Sequence, residues 1–288
     1  MKKPQWITVA VAVLLTAGIF VFGRTVPRKK TIAAAEHRPG DGHNHEADMQ
    51  PMSTDSILLM AKKRLNSQQV VRINALENSV KRGDVQDQQV HVYHQLARFW
   101  SDSARIFEPY AFYTGEAARL ENSEKSLTFA AQLFLDNLQG EDNLRLRQWK
   151  ALQAKDLFER SLKINPASDS ARVGLGACYL FGSISSSPMQ GIGEIRSVVQ
   201  KDSTNIYAQM MLVRGSLLSG QYDKAISRLQ TVIRMQPANI EALLLMGDVY
   251  ERIGDKKAAA GWYEKSLPNV AEPKLKAAIR ERIEELKK

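Results

Sequence analysis

A single cysteine in 288 residues removes disulfides from consideration: Cys178 has no partner within the chain and is expected to be a small core residue. Also missing are the sequence patterns on which catalysis usually depends. There is no G-x-S-x-G elbow, no glycine-rich loop ending in Lys-Ser/Thr, no H-E-x-x-H, and no Cys/His cluster on a structured position. Gly191-Ile192-Gly193 lacks the third glycine of a dinucleotide fingerprint, and Ser187-Pro188 rather than a strand precedes it. A non-catalytic protein without a cofactor is therefore expected. A basic stripe is lacking as well. The formal charge is +9, yet residues 1–50 hold seven Lys/Arg against four acids, and later segments such as Glu281–Lys288 alternate signs. Alternating charge marks a solvated helix face, so no nucleic-acid partner is expected.

The longest uncharged stretch, Pro4–Gly23, contains the almost wholly apolar run Trp6–Phe22. About 20 such residues cross a bilayer as a helix, since there the backbone must satisfy its own polar groups. The only good A-x-A site, Ala33–Ala35, lies well past the run, which favours an uncleaved anchor over a signal peptide. Residues 1–23 are thus expected to be a single-pass anchor in the cell membrane. Lys2 and Lys3 flank it on one side and Arg24, Arg28, Lys29 and Lys30 on the other, so the positive-inside rule leaves orientation open. A periplasmic body is the expectation, with a cytoplasmic one as the alternative.

Residues 24–53 carry Pro39, Gly40, Gly42 and Pro51 and no apolar periodicity, the composition of a flexible spacer. Its His37, His43 and His45 stand among Asp41, Glu46 and Asp48. Imidazole and carboxylate suit Zn²⁺, Cu²⁺ or Ni²⁺, and a metal-handling protein is the alternative function, but a spacer offers no preorganised geometry. No structured metal site is expected.

Residues 54–122 read as an N-terminal helical region. The apolar spacing predicts a long helix from about Ser56 to Lys81 with a polar gap at Asn66–Gln69, and a second over about Val85–Phe107. Glu108-Pro109 and Tyr113–Gly115 punctuate a shorter stretch before Glu116–Asn122. Phe99, Trp100, Phe107, Tyr110, Phe112 and Tyr113 are expected to form the core of this layer.

Beyond it the chain repeats itself. Ile206–Asn239 and Ile240–Pro273 are consecutive 34-residue blocks that align without a gap, matching Leu212 with Met246, Gly220 with Gly254, Ala225 with Ala259 and Leu229 with Tyr263. A fixed period of this size marks stacked helix–turn–helix units. The order Met246-Gly247, Tyr250, Gly254, Ala259 and Tyr263, with Pro237 closing the first block, resembles the tetratricopeptide repeat (TPR) family. Asp169–Asn205 fits as a 37-residue repeat with three extra residues at Ser183–Pro188, and 123–168 as an irregular one, its link Gln139–Trp149 about eleven residues too long for the usual turn. The expected architecture is an all-α TPR-type solenoid of about four repeats (123–168, 169–205, 206–239 and 240–273). A one-faced helix, 274–288, hides the open end with Leu275, Ile279, Ile283 and Leu286.

In the TPR family the first helix of each repeat lines the concave wall. The resemblance implies Val173 and Ala177 (with Ser170, Leu180 and Phe181) from one repeat, and Tyr207, Met210, Arg214 and Leu217 (with Leu218) from the next. It adds Leu244, Asp248, Glu251 and Arg252 (with Glu241) from the last. Such a groove suits a protein or peptide with hydrophobic anchors. The chain is similar to bacterial envelope TPR proteins that act as membrane-anchored assembly factors or chaperone-like helpers.

Overall fold

A computed structural model describes residues 50–82, 86–185 and 188–288. The expected anchor and most of the spacer, with His37, His43 and His45, lie outside the described residues. Within Asn44–Lys288, which form one compact unit, thirteen α-helices stack in order and no strand occurs among the described residues: α1 (Thr54–Lys62), α2 (Ser67–Arg82), α3 (Gln86–Arg98), α4 (Phe107–Glu121), α5 (Glu124–Leu138), α6 (Leu144–Ile164), α7 (Asp169–Phe181), α8 (Met189–Lys201), α9 (Ile206–Leu218), α10 (Tyr222–Met235), α11 (Ile240–Arg252), α12 (Lys256–Ser266) and α13 (Pro273–Leu286). The architecture is an all-α, TPR-like solenoid. No described helix is long and apolar enough to cross a membrane.

From α3 onward, successive helices pair as hairpins, α3/α4 through α11/α12, and α13 packs on α12. The first helices α5, α7 and α9 also touch one another, which builds one continuous wall. The 34-residue period reappears as geometry. Asn205 and Asn239 each accept a hydrogen bond from the backbone N–H three residues on, both at 2.9 Å, and so start α9 and α11. Gly220 and Gly254 close the turns with φ of +67° and +86°, a region that disfavours any residue with a Cβ. Burial follows the helical period: Ala225, Leu229 and Val232 of α10 pack on Ala242, Met246 and Val249 of α11. Ile279, Ile283 and Leu286 of α13 cover Ala259, Ala260 and Tyr263 of α12. Among the described residues, the hydrophobic clusters begin at Met52.

Four local expectations are corrected. The helix expected over Ser56–Lys81 is two helices meeting at a corner. Asn66 Oδ1 accepts from the Gln69 N–H at 2.9 Å while Gln69 Oε1 accepts from the Asn66 N–H at 3.0 Å, a reciprocal cap that opens a new helix. The punctuation seen at Pro109 and Gly115 does not interrupt α4. Pro109 sits in the first turn, where no N–H is needed. Gly115 lies where α4 approaches Phe134 and Leu157. The overlong link Gln139–Trp149 is mostly helix, because Asn143 caps Leu146 at 3.1 Å and α6 runs from Leu144.

The remaining early helix, expected over Val85–Phe107, ends sooner. After α3 the chain makes a wider π turn, Phe99–Ala104, and leaves it through Arg105 at φ 54°. Phe99 and Trp100, edge to face at 5.3 Å between ring centres, are buried there beneath Leu96, Ile106 and Tyr113.

Candidate functional site

The sequence-assigned concave residues divide by depth. Val173 and Ala177 of α7 have no exposed surface, and Met210 of α9 is buried against Val213 and Ala225. These three are core residues, which corrects their assignment to a binding face. Tyr207 is half-buried: its hydroxyl donates to Gln132 of α5 at 3.1 Å, and burial pushes its pKa up to about 12.

In the last repeat the assigned residues have neighbours within the chain. Leu244 packs among Tyr263, Ile279, Ile283 and Leu286, under the terminal helix. Asp248 accepts a 2.6 Å hydrogen bond from the Tyr263 hydroxyl, which also reaches Glu251 at 3.2 Å. Glu251 is further held by the Arg282 guanidinium of α13, which keeps its carboxyl below the usual range; the Tyr263 phenol is pushed up by burial and by these two carboxylates. The terminal helix therefore occupies positions where a partner helix would lie. Tyr263 itself fits closely against Gly247, whose Cβ, if present, would stand 2.4 Å from the ring.

The remaining assigned residues, Arg214, Leu217 and Arg252, come together in a pocket of about 680 Å³. Leu180, Phe181 and Leu218, from the same repeat positions, join them, and Leu218 is 69% exposed. Leu138, Leu245, Gln139, Arg147, Ser183 and Glu241 complete the lining. Sequence reasoning had no reason to include Leu138, Gln139 and Arg147, because they flank a turn that reads as a long loop. Only once α6 is seen to begin at Leu144 does Arg147 stand on a helix facing the end of α5.

Charge in the pocket is unbalanced. Arg214 donates to Gln139 at 2.7 Å and to Glu241 at 2.6 Å, so it ties α9 to α5 and α11. Arg147 donates twice to the Glu141 backbone carbonyl, at 2.8 and 2.5 Å, a neutral acceptor. Arg252 is exposed and makes no close ion pair among the described residues, although its charge acts on the adjacent Glu251. Three guanidiniums and one carboxylate surround a floor of leucine and phenylalanine. Such a site can hold an apolar side chain and, beside it, an anionic group.

No group of three potential metal ligands occurs among the described residues. His91 and His94, spaced for a shared ion, have other neighbours: His94 lies 2.7 Å from Glu121 and His91 lies 3.0 Å from Gln95. Cys178 is fully buried, and burial raises its thiol pKa far out of the reactive range.

Comparison with known proteins agrees on the repeat. Residues 211–280 match the family model described as tetratricopeptide repeat. Lipopolysaccharide assembly protein B of Haemophilus influenzae is 31% identical over 114 residues, covering 38% of this chain and 28% of that protein. The chain thus matches less than a third of that relative's length. Among solved structures, a thermophilic TPR protein from Thermus thermophilus overlaps 70% of this chain and 98% of its own at 13% identity, with a TM-score of 0.47. PilW, a type IV pilus biogenesis factor, overlaps 79% and 100% at 15% identity, with a TM-score of 0.45.

Proposed function

We propose that this protein is a non-catalytic, membrane-tethered scaffold that holds a peptide segment of another protein in the pocket between α5, α7, α9 and α11. The pocket itself supports this most directly: a cleft of about 680 Å³ with an apolar floor and surplus arginines, on the inner wall of a helical-repeat stack. The favoured ligand is an extended segment that places a hydrophobic side chain between Phe181 and Leu218 and a carboxylate near Arg252 or Arg147. The tether is the uncharged Pro4–Gly23 run. A role in assembly at the cell envelope draws on the likeness to lipopolysaccharide assembly protein B, over the matched portion alone.

Site-specific photo-crosslinking in cells tests the pocket. A photoreactive residue at Leu218 should give discrete adducts that disappear when Leu217→Glu is added, while the same residue at Ile164, exposed on the second helix of its repeat, gives none of them. Adducts at Leu218 that persist in the Leu217→Glu background would remove the pocket from the proposal.

A further inference from the structure

The excess positive charge is not evenly distributed. Residues 1–82 carry thirteen Lys/Arg against six Asp/Glu, whereas residues 83–288 carry 27 against 25. Of the described part, residues 50–82 hold six cations and two acids, all but Gln50–Ser53 and the corner lying on α1 and α2.

The same segment is unusual in what it exposes. Eleven large apolar side chains among the described residues are well exposed, and four of them, Leu59, Met60, Val70 and Val71, fall within thirteen consecutive positions at the α1–α2 corner. Leu59 is 57% and Val71 72% exposed. They are not misplaced core residues, because α1 turns Ile57 and Ala61 inward and α2 turns Ile73 inward. On α1, Leu59 occupies the side opposite Ala61 and Ile57, and Met60 lies at the edge of their face. Val71 likewise lies nearly opposite Ile73 on α2.

Cations are interleaved with them. Lys63 and Arg64 are exposed and have no acidic partner among the described residues. Lys62, by contrast, is fixed to Glu77 at 2.6 Å, and Arg72 lies over the Phe99 ring at 5.8 Å. Elsewhere in the solenoid some cations are paired, as in Arg119–Asp156, Arg172–Glu194 and Lys201–Asp169. Exposed apolar side chains and cations without an acidic partner, close together in the chain at this corner, supply the two attractions that hold a protein on an anionic lipid surface, insertion of apolar side chains and attraction of basic residues to headgroups.

We infer that the α1–α2 corner, through Leu59, Met60, Val71, Lys63 and Arg64, docks on the anionic surface of a lipid bilayer. The inference extends the membrane tether proposed above. Docking there gives the solenoid a second attachment.

The test uses residues 44–288, a compact unit that holds the hydrophobic clusters of the described residues, together with the full chain. Sedimentation with vesicles of phosphatidylcholine plus phosphatidylglycerol should carry residues 44–288 down, sedimentation with phosphatidylcholine alone should not, and added salt should release the protein. Each cation near the surface is worth about five-fold in binding. Lys63→Glu with Arg64→Glu should therefore weaken sedimentation more than about twenty-fold, and Leu59→Ser with Val71→Ser should weaken it at unchanged charge. All four side chains are exposed, and unaltered circular dichroism will verify folding.

Failure of residues 44–288 to sediment with the anionic vesicles overturns the inference, even if the full chain stays in alkali-washed membranes and the tether stands. Vesicle binding of residues 44–288 while alkali strips the full chain from membranes leaves the inference standing and sinks the tether. Vesicle binding unaffected by either pair of substitutions overturns the corner's role. Nucleic-acid binding or self-association that both pairs abolish, without vesicle binding, assigns the corner to a different partner and also overturns it.

Discussion

Tyr207 of α9 and Gln132 of α5 are joined at 3.1 Å across the edge of α7, a bond between the first helices of repeats that are not neighbours in sequence. With the Arg214–Gln139 bond, it links α9 directly to the α5 end of the wall, past α7. Tyr207→Phe should cost about 1 kcal/mol, the usual net worth of one hydrogen bond. Tyr207→Ala, which also empties a half-buried ring site, should cost about 3 kcal/mol. Urea unfolding with unchanged m-values would check both; equal losses would show that the hydroxyl contributes everything and the ring nothing.

Lys150 is 2% exposed and its ammonium reaches Glu141 at 2.6 Å, Asn137 at 2.7 Å and Glu108 at 3.2 Å. Lys150→Met should destabilise by about 3 kcal/mol, since it leaves two part-buried carboxylates without their cation. Burial alone would raise the Glu141 carboxyl, but the Lys150 bond, the Asn143 N–H and Arg147 outweigh it and hold the group below its ordinary value. A depressed carboxyl stabilises the fold fully above its unfolded pKa of about 4.3. That stabilisation is lost as pH falls through the lower folded value. Glu141→Gln should therefore lower stability at neutral pH and flatten the acid limb of the stability profile. An unchanged acid limb would refute the coupling.

Much of the fold can be read from the sequence because its devices are local. Asn205 and Asn239 each sit three residues before the amide they cap, and Gly220 and Gly254 recur at the repeat's own period. What escaped the sequence was either masked by a stronger pattern or supplied by a distant element. The Asn66–Gln69 cap is a visible four-residue motif, but apolar spacing continues on both sides of it and reads as one helix. Asn66→Ala should cost about 1 kcal/mol and lower helicity around the corner, measurable by hydrogen exchange at Val70 and Val71.

The candidate site was legible only in part for the same reason. Arg214, Leu217 and Arg252 lie at family positions and do meet in the pocket. Leu244 and Glu251 occupy equivalent positions but face α13, whose placement depends on packing between segments far apart in sequence. Val173 and Ala177 carried a signal of their own: both are small and apolar, as expected of residues between closely spaced helices, and both are fully buried.

Leu218 should separate binding from folding. It is 69% exposed, so Leu218→Glu should shift stability by no more than about 0.5 kcal/mol. In the pocket the same change places a carboxylate beside Leu217 and Phe181, where an apolar anchor would have to displace it, and neutralises part of the surplus held by Arg252 and Arg147. Partner capture should fall by more than about ten-fold, since each 1.4 kcal/mol is ten-fold and a buried apolar contact is worth at least that. Leu218→Lys keeps the lost anchor but restores the sign of the charge, so it should bind better than Leu218→Glu and worse than wild type. Equal loss in both would mean that the pocket selects its partner by shape alone and that the three arginines play no part in recognition.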